Sequence, residues 1–173
     1  MATRPTSDRV REALFSVLTA EGWIGDDEPR ALRILDLYAG SGALALEAVS
    51  RGATDSVLVE QSRDALAAIS ENVRALDVAT IVRVLGKRVE KALVELEATS
   101  ERFEVVFLDP PYELVARPAF AEVLSSAARR VAPGGVLVLE HASSDGPPTV
   151  AELDLDRSRR YGDTALAFYR PRS

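Results

Sequence analysis

Five short apolar runs, separated by segments of helical periodicity, constrain this chain more than any other feature. They lie at residues 31–37, 55–60, 80–85, 103–109 and 135–140. Runs of this length bounded by turn residues read as buried strands. The segments Ala43–Ser50, Arg63–Leu76, Val89–Ala98 and Pro118–Arg130 read as helices, with stop signals such as Gly52 and the Pro133-Gly134-Gly135 turn. Strand and helix in alternation predict a parallel, doubly wound sheet.

Ahead of the first run, Val10, Ala13, Leu14, Val17 and Leu18 recur at i, i+3, i+4, i+7 and i+8 behind Ser7, a suitable N-cap. This spacing predicts an amphipathic helix over 8–20, closed by Gly22. Gly25–Pro29 reads as an acidic loop and Ser143–Thr149 as a surface loop. Arg157–Tyr161 and Thr164–Tyr169, parted by Gly162-Asp163, read as a closing hairpin. The expectation is one α/β domain over 1–173, with a seven-stranded, mostly parallel sheet and a terminal antiparallel hairpin. Residues 1–30 form the first helix and linker, 31–141 the core, and 142–173 the loop and hairpin.

Composition narrows the chemistry. The chain has no cysteine and one histidine, His141, which excludes a disulfide framework, a thiolate zinc site and a cysteine nucleophile, and leaves little room for histidine catalysis. Carboxylates, hydroxyls, backbone or a cofactor must carry the reaction, and no metal is expected. No apolar run of about 18 residues is present and Thr3–Arg9 is polar, so the expectation is a soluble cytoplasmic protein that spans no membrane. The net charge of −6 argues mildly against a general nucleic-acid binder. Its distribution is uneven: Arg4, Arg9 and Arg11 crowd the first eleven residues, and five arginines face only Asp163 in the last seventeen. His141 reads as a packed or surface residue, and Phe15 and Trp23 as core contacts of the first helix.

Asp36-Leu37-Tyr38-Ala39-Gly40-Ser41-Gly42 lies where the first strand turns into a helix, and its small residues let a ligand approach the backbone. Gly40–Ala45 also fits the dinucleotide fingerprint, with Glu60 lying 18 residues beyond Gly42, so the loop alone leaves the cofactor open. Asp36 favours S-adenosylmethionine, because a carboxylate attracts a methionine ammonium and repels a pyrophosphate. Glu60 is suited to accept hydrogen bonds from both ribose hydroxyls.

Asp109-Pro110-Pro111-Tyr112 ends the fourth run. The two prolines remove two amide donors and hold the chain extended, leaving the Pro110 carbonyl to point into a site. Asp109 and that carbonyl can together accept both N–H groups of a planar amine while Tyr112 stacks on its ring. In a sheet ordered 3-2-1-4-5 this motif and the glycine loop flank the topological switch point, where open α/β sheets bind ligands. The motif specifies a planar amino nitrogen. Adenine N6 in DNA or RNA and the side chain of a protein glutamine are compatible with it as well.

With both motifs placed, the sequence resembles the bacterial 16S rRNA guanine-N2 methyltransferases of the RsmD type. The resemblance rests on Arg4–Phe15, on Asp36–Gly52, on Asp109–Tyr112 and on Tyr161-Gly162-Asp163-Thr164, in the family's order. It implies a class I, Rossmann-like methyltransferase fold and S-adenosylmethionine as methyl donor. The implied substrate is one guanine of 16S rRNA, free or in the assembled small subunit, and the implied state is a monomer. The implied cofactor site comprises Asp36, Tyr38, Ala39, Gly40, Ser41, Gly42, Glu60 and Gln61, with Asp109, Pro110, Pro111 and Tyr112 catalytic. Family members place an acidic or amide side chain near the adenine amine where this chain has Gly86-Lys87-Arg88, so Lys87 and Arg88 are expected to serve there through backbone groups. Family members also begin with a basic, glycine-containing segment, for which only Met1-Ala2-Thr3 stand here. Thr6 and Arg9 are candidates to reach cofactor or RNA. The competing readings are a non-catalytic S-adenosylmethionine-binding remnant and an NAD-dependent oxidoreductase; the latter leaves Asp109–Tyr112 without a role.

Overall fold

The computed structural model describes residues 7–25 and 30–172. Arg4 and Thr6 of the opening motif, and most of the Gly25–Pro29 loop, lie outside the described residues. Helix α1 (Asp8–Ala20) is capped by Ser7, whose hydroxyl accepts from the Val10 amide, and it buries Val10, Leu14, Phe15 and Leu18 along one stripe. Then follow β1 (Arg33–Leu37), α2 (Ala43–Ser50), β2 (Asp55–Glu60), α3 (Arg63–Ala75), β3 (Val82–Gly86) and α4 (Val89–Ala98). The chain continues through β4 (Phe103–Leu108), α5 (Tyr112–Val115), α6 (Phe120–Ala128) and β5 (Val131–Ala142), and closes with β6 (Leu153–Tyr161) and β7 (Thr164–Pro171).

These strands form one seven-stranded sheet in the order β3-β2-β1-β4-β5-β7-β6. β1 to β5 pair in parallel, and β7 returns antiparallel between β5 and β6. The predicted order of the first five strands and the closing hairpin are both present. Successive strand residues face opposite sides of the sheet, so two cores result. Leu35, Leu37, Val106 and Leu108 pack with α4 and α6 on one face; Ile34, Leu58, Val105 and Phe107 pack with α1, α2 and α3 on the other. Phe15 meets Phe107 with ring centroids 6.0 Å apart, and Trp23 is buried with its indole N–H donating to the Gly134 carbonyl at 3.2 Å. Both serve the core as expected. His141 is buried, with Nδ1 2.9 Å from the Ala142 carbonyl.

The structure corrects several boundaries. Pro133-Gly134-Gly135 is not a turn outside the sheet, because β5 already begins at Val131 and the triplet forms a bulge: Phe103 pairs with Val131, but Val105 with Val136. Gly135 is required there, since a Cβ would sit 2.7 Å from the Glu104 carbonyl oxygen. Helix α6 starts at Phe120, β1 at Arg33 and β3 at Val82, each later than the apolar pattern suggests. The short α5 was not expected; it forms because the Pro111 carbonyl accepts from the Leu114 amide. Among the described residues no helix is long and apolar enough to cross a membrane.

Candidate active site

The C-terminal ends of β1 and β4 lie side by side, Leu37 paired with Leu108, so the glycine loop and Asp109 emerge next to each other. Between them is a cavity of about 520 Å³ lined by Asp36, Tyr38, Ala39, Gly40, Ser41 and Asp109, within the range of small-ligand sites. Its remaining walls come from Ser7, Asp8 and Arg11 of the α1 region, from the start of α2, and from Ala65 and Ala68 of α3. Thr6 and Arg9 were the candidates expected to reach the site from this end; Thr6 lies outside the described residues, Arg9 is not among the lining residues, and Ser7, Asp8 and Arg11 form the wall instead.

The glycine loop is held by its own backbone. The Ala39 amide donates to the Val59 carbonyl at 3.0 Å and the Gly42 amide to the Ala39 carbonyl at 2.8 Å. Its glycines serve different needs. Gly40 has φ +58 with open space where a side chain would be, whereas Gly42 has φ +83 and a Cβ there would lie 3.0 Å from Leu58 Cδ2. Tyr38 also adopts a positive φ, 63°, an uncommon conformation for a bulky residue, and burial raises its phenol pKa. Asn72 of α3, unnoticed in the sequence, donates to the Ser41 carbonyl at 3.1 Å.

Asp36 is buried at 1 % exposure beneath this loop. One carboxylate oxygen, Oδ2, accepts from the Ala45 amide in the first turn of α2 at 3.2 Å, while Oδ1 has no hydrogen-bond partner among the described residues. Burial pushes its carboxyl up to about 7, the Ala45 amide opposes that, and the Glu60 charge adds to it. Glu60 braces the loop from β2: Oε2 accepts from the Gly40 amide at 2.8 Å, and Oε1 accepts from the amides of Gln61 at 2.8 Å and Ser62 at 2.9 Å. Lys87 and Arg88 are not among the residues lining the cavity; Lys87 is ion-paired with Glu95, and Arg88 with Glu90 at 3.5 Å.

Beyond Asp109, Pro110 is buried, and no backbone amide among the described residues donates to its carbonyl. The Tyr112 hydroxyl lies 2.8 Å from Thr164 Oγ1 and donates to Glu140 Oε1 at 3.2 Å. Glu140 and Thr164 are therefore functional candidates that motif reading missed, although Thr164 closes the Tyr161–Thr164 element. The buried Asp36 oxygen without a partner and the open space beside Gly40 fit S-adenosylmethionine: Asp36 and the loop would hold the methionine part, whereas Gly42, Glu60 and Gln61 are not among the residues lining the cavity and the Glu60 carboxylate is taken up by three backbone amides.

A doubly wound sheet with a glycine loop after β1 and Asp-Pro-Pro-Tyr after β4 defines a methyltransferase domain of the class I, Rossmann-like kind. A family model described as "Conserved hypothetical protein 95" matches residues 1–170, and the chain belongs to that family. Among its relatives, Ribosomal RNA small subunit methyltransferase D of Escherichia coli K12 is 32% identical over 169 residues, covering 96% of this chain and 78% of that protein. The Bacillus subtilis protein YlbH, named as a candidate rRNA methyltransferase, is 31% identical over 174 residues, covering 99% of this chain and 89% of its own. A solved hypothetical protein of Thermus thermophilus superposes with a TM-score of 0.80 at 37% identity, covering 98% of this chain and 89% of that one.

Proposed function

We propose that this protein transfers a methyl group from S-adenosylmethionine to the exocyclic N2 amine of a guanine in small-subunit ribosomal RNA. The observation that carries this reading is that Asp36 and Asp109 line one cavity. An acid suited to a cationic ammonium and an acid suited to an amine thereby face the same space. Relatives named as rRNA small subunit methyltransferases support the choice of nucleic acid.

When bound, S-adenosylmethionine supplies an electrophilic methyl group. This chain's own residues hold the acceptor. Asp109 accepts one N–H of the guanine amine and the Pro110 carbonyl accepts the other, which turns the nitrogen lone pair out of conjugation and toward the cavity. The Tyr112 ring, fixed at its hydroxyl by Glu140 and Thr164, supplies the flat surface for the base. Asp109, already bonded to the amine, takes up the proton the nitrogen loses. Residues 1–173 act in this reading as one domain and a monomer in the cytoplasm.

The test is methyl transfer to small subunits and to free 16S rRNA lacking the modification, with the product nucleoside identified by mass spectrometry. N2-methylguanosine at one site is expected. Methylation of DNA adenine or of a protein glutamine, with none on rRNA, would overturn the proposal. Binding of S-adenosylmethionine without transfer to any of these would favour the non-catalytic remnant.

A further inference from the structure

On a chain of net charge −6, the arginines at the two ends of the parallel strands differ in their acidic partners, although Arg63, Arg74 and Lys91 elsewhere also have none among the described residues. At the N-terminal end of the parallel strands, Arg33 pairs with Glu104, Arg83 with Glu101, Arg129 with Glu97 and Glu152, and Arg172 with Asp154. Arg102 and Arg130 in the same region donate to backbone carbonyls. The opposite rim, where Asp109 and the glycine loop emerge, is different. Four exposed arginines on the half that carries Asp109, namely Arg9, Arg117, Arg159 and Arg160, have no carboxylate partner among the described residues, and of these Arg160 donates from Nε to the Gly162 carbonyl at 3.4 Å.

Strand pairing places Arg159 and Arg160 at this rim. Arg159 is opposite Leu166 and Arg160 opposite Ala165, and those residues pair in turn with Glu140 and His141 at the C-terminal end of β5. Glu140 is the residue that holds Tyr112, so the two arginines are level with the target site. Adjacent strand residues point to opposite faces. Arg159 shares the face of Leu166, which packs with α1, and Arg160 shares the other face. Arg9 stands on α1 beside Asp8, which lines the cavity. Arg117 follows α5, whose Leu114 and Val115 pack against the core on the α4 and α6 side. One cation from the hairpin and one from a helical segment thus flank the rim on each face. The hairpin pair stands three strand spacings from β4, roughly 14 Å, within reach of nucleotides flanking a base seated at Asp109.

We infer that this rim is the RNA-docking surface, with Arg159 and Arg160 of β6 holding backbone phosphates of nucleotides that flank the target guanine. Resting on the rRNA reading above, it assigns the grip on RNA to the terminal hairpin. Guanidinium groups suit this task, being permanently charged and shaped for paired hydrogen bonds to phosphate oxygens. The bland alternative is that arginines on the edge strand β6 only block pairing with another sheet. Charge reversal separates the two, since a glutamate blocks an edge as well as an arginine does but repels phosphate.

The experiment measures equilibrium binding of a fluorescently labelled 16S rRNA fragment as a function of salt, for wild type, R159E/R160E, R159Q/R160Q and the control R74E. Arg74 is exposed near the end of α3, away from this rim, and also lacks a carboxylate partner among the described residues. Affinity of the two rim variants is expected to fall about tenfold or more near 0.1 M salt, and the salt slope of the glutamine variant by about one per arginine removed. Their S-adenosylmethionine affinity, melting temperature and monomeric state should match wild type. Affinity and slope equal to those of R74E overturn the inference, and so does a wild type that binds no RNA. Because binding is read without turnover, the two readings fail separately. Weakened RNA binding with methylation found on another base sinks only the guanine assignment. Unchanged binding with normal guanine methylation sinks only this one.

Discussion

The Tyr112 hydroxyl lies 2.8 Å from Thr164 Oγ1, a hydrogen bond across 52 residues of sequence that ties the Asp-Pro-Pro-Tyr segment to the start of β7. With Glu140 accepting from the same hydroxyl at 3.2 Å, the ring is held from behind while its face remains for a base. Losing one anchor should leave the cofactor site intact and loosen the acceptor. Thr164→Val is expected to lower kcat about tenfold with S-adenosylmethionine affinity unchanged, and Thr164→Ser to restore it. Steady-state kinetics alongside calorimetry check this. A parallel loss of cofactor affinity would mean that the bond serves only the fold.

Gly40 and Gly42 share positive φ but should fail differently when substituted. A Cβ at Gly42 points at Leu58 Cδ2, 3.0 Å away, inside the core, whereas one at Gly40 meets nothing within 4 Å. Gly42→Ala therefore combines backbone strain with a clash and should cost about 1–2 kcal/mol or more in urea unfolding. Gly40→Ala should cost about 1 kcal/mol and, because Gly40 lines the cavity, should weaken S-adenosylmethionine binding more than Gly42→Ala does relative to its stability loss. The reverse ranking would place the ligand elsewhere.

If Asp36 faces the methionine ammonium as proposed, cofactor binding should be sensitive to pH. Burial raises its carboxyl from 3.8 to about 7 in the folded protein. As pH rises between those values the unfolded chain releases a proton that the folded chain keeps, so stability falls with rising pH and levels off above about 7. Asp36→Asn should remove that part of the pH dependence. A bound ammonium favours the ionised carboxylate, so cofactor affinity should rise with pH through about 7, with a proton released on binding. Calorimetry in buffers of different ionisation enthalpy reads the proton count. No release at about pH 6.5, or affinity falling as pH rises, would show that Asp36 does not face the ammonium.

The succession of strands and helices was legible because most of the parallel strands are buried apolar runs and the connecting helices are amphipathic, so the periodicity changes at each junction. The β5 bulge was not, because Pro133-Gly134-Gly135 has the composition of a turn and only the close approach of the Glu104 carbonyl shows the chain still in the sheet. The glycine loop and Asp109 could be placed together from sequence because parallel neighbours deliver their C-terminal ends to one rim. Glu140, Thr164, Asn72 and the wall residues Ser7, Asp8 and Arg11 could not, since each acts through a contact between segments far apart in the chain. Lys87 and Arg88 were expected to serve through backbone groups; their side chains pair with Glu95 and Glu90 on α4 and neither residue lines the cavity.

Asp109 separates binding from chemistry most directly. It lines the cavity together with Asp36, but it follows β4 whereas Asp36 and the glycine loop belong to β1 and its exit. On the proposed reading, Asp109→Ala removes one of the two acceptors for the amine hydrogens, so the nitrogen would keep its conjugation and its lone pair would no longer be held toward the cavity. Loss of such a group costs at least about two orders of magnitude in rate, with cofactor affinity expected within about threefold of wild type, an allowance for loss of a nearby charge. Asp109→Asn sharpens the test: its amide oxygen can still accept one N–H, but it has no charge to stabilise the cation that develops on nitrogen and cannot take up the proton. Its rate should therefore lie between those of alanine and wild type. Single-turnover transfer with saturating S-adenosylmethionine distinguishes these outcomes. An asparagine variant as fast as wild type would confine Asp109 to hydrogen bonding and leave proton removal to solvent.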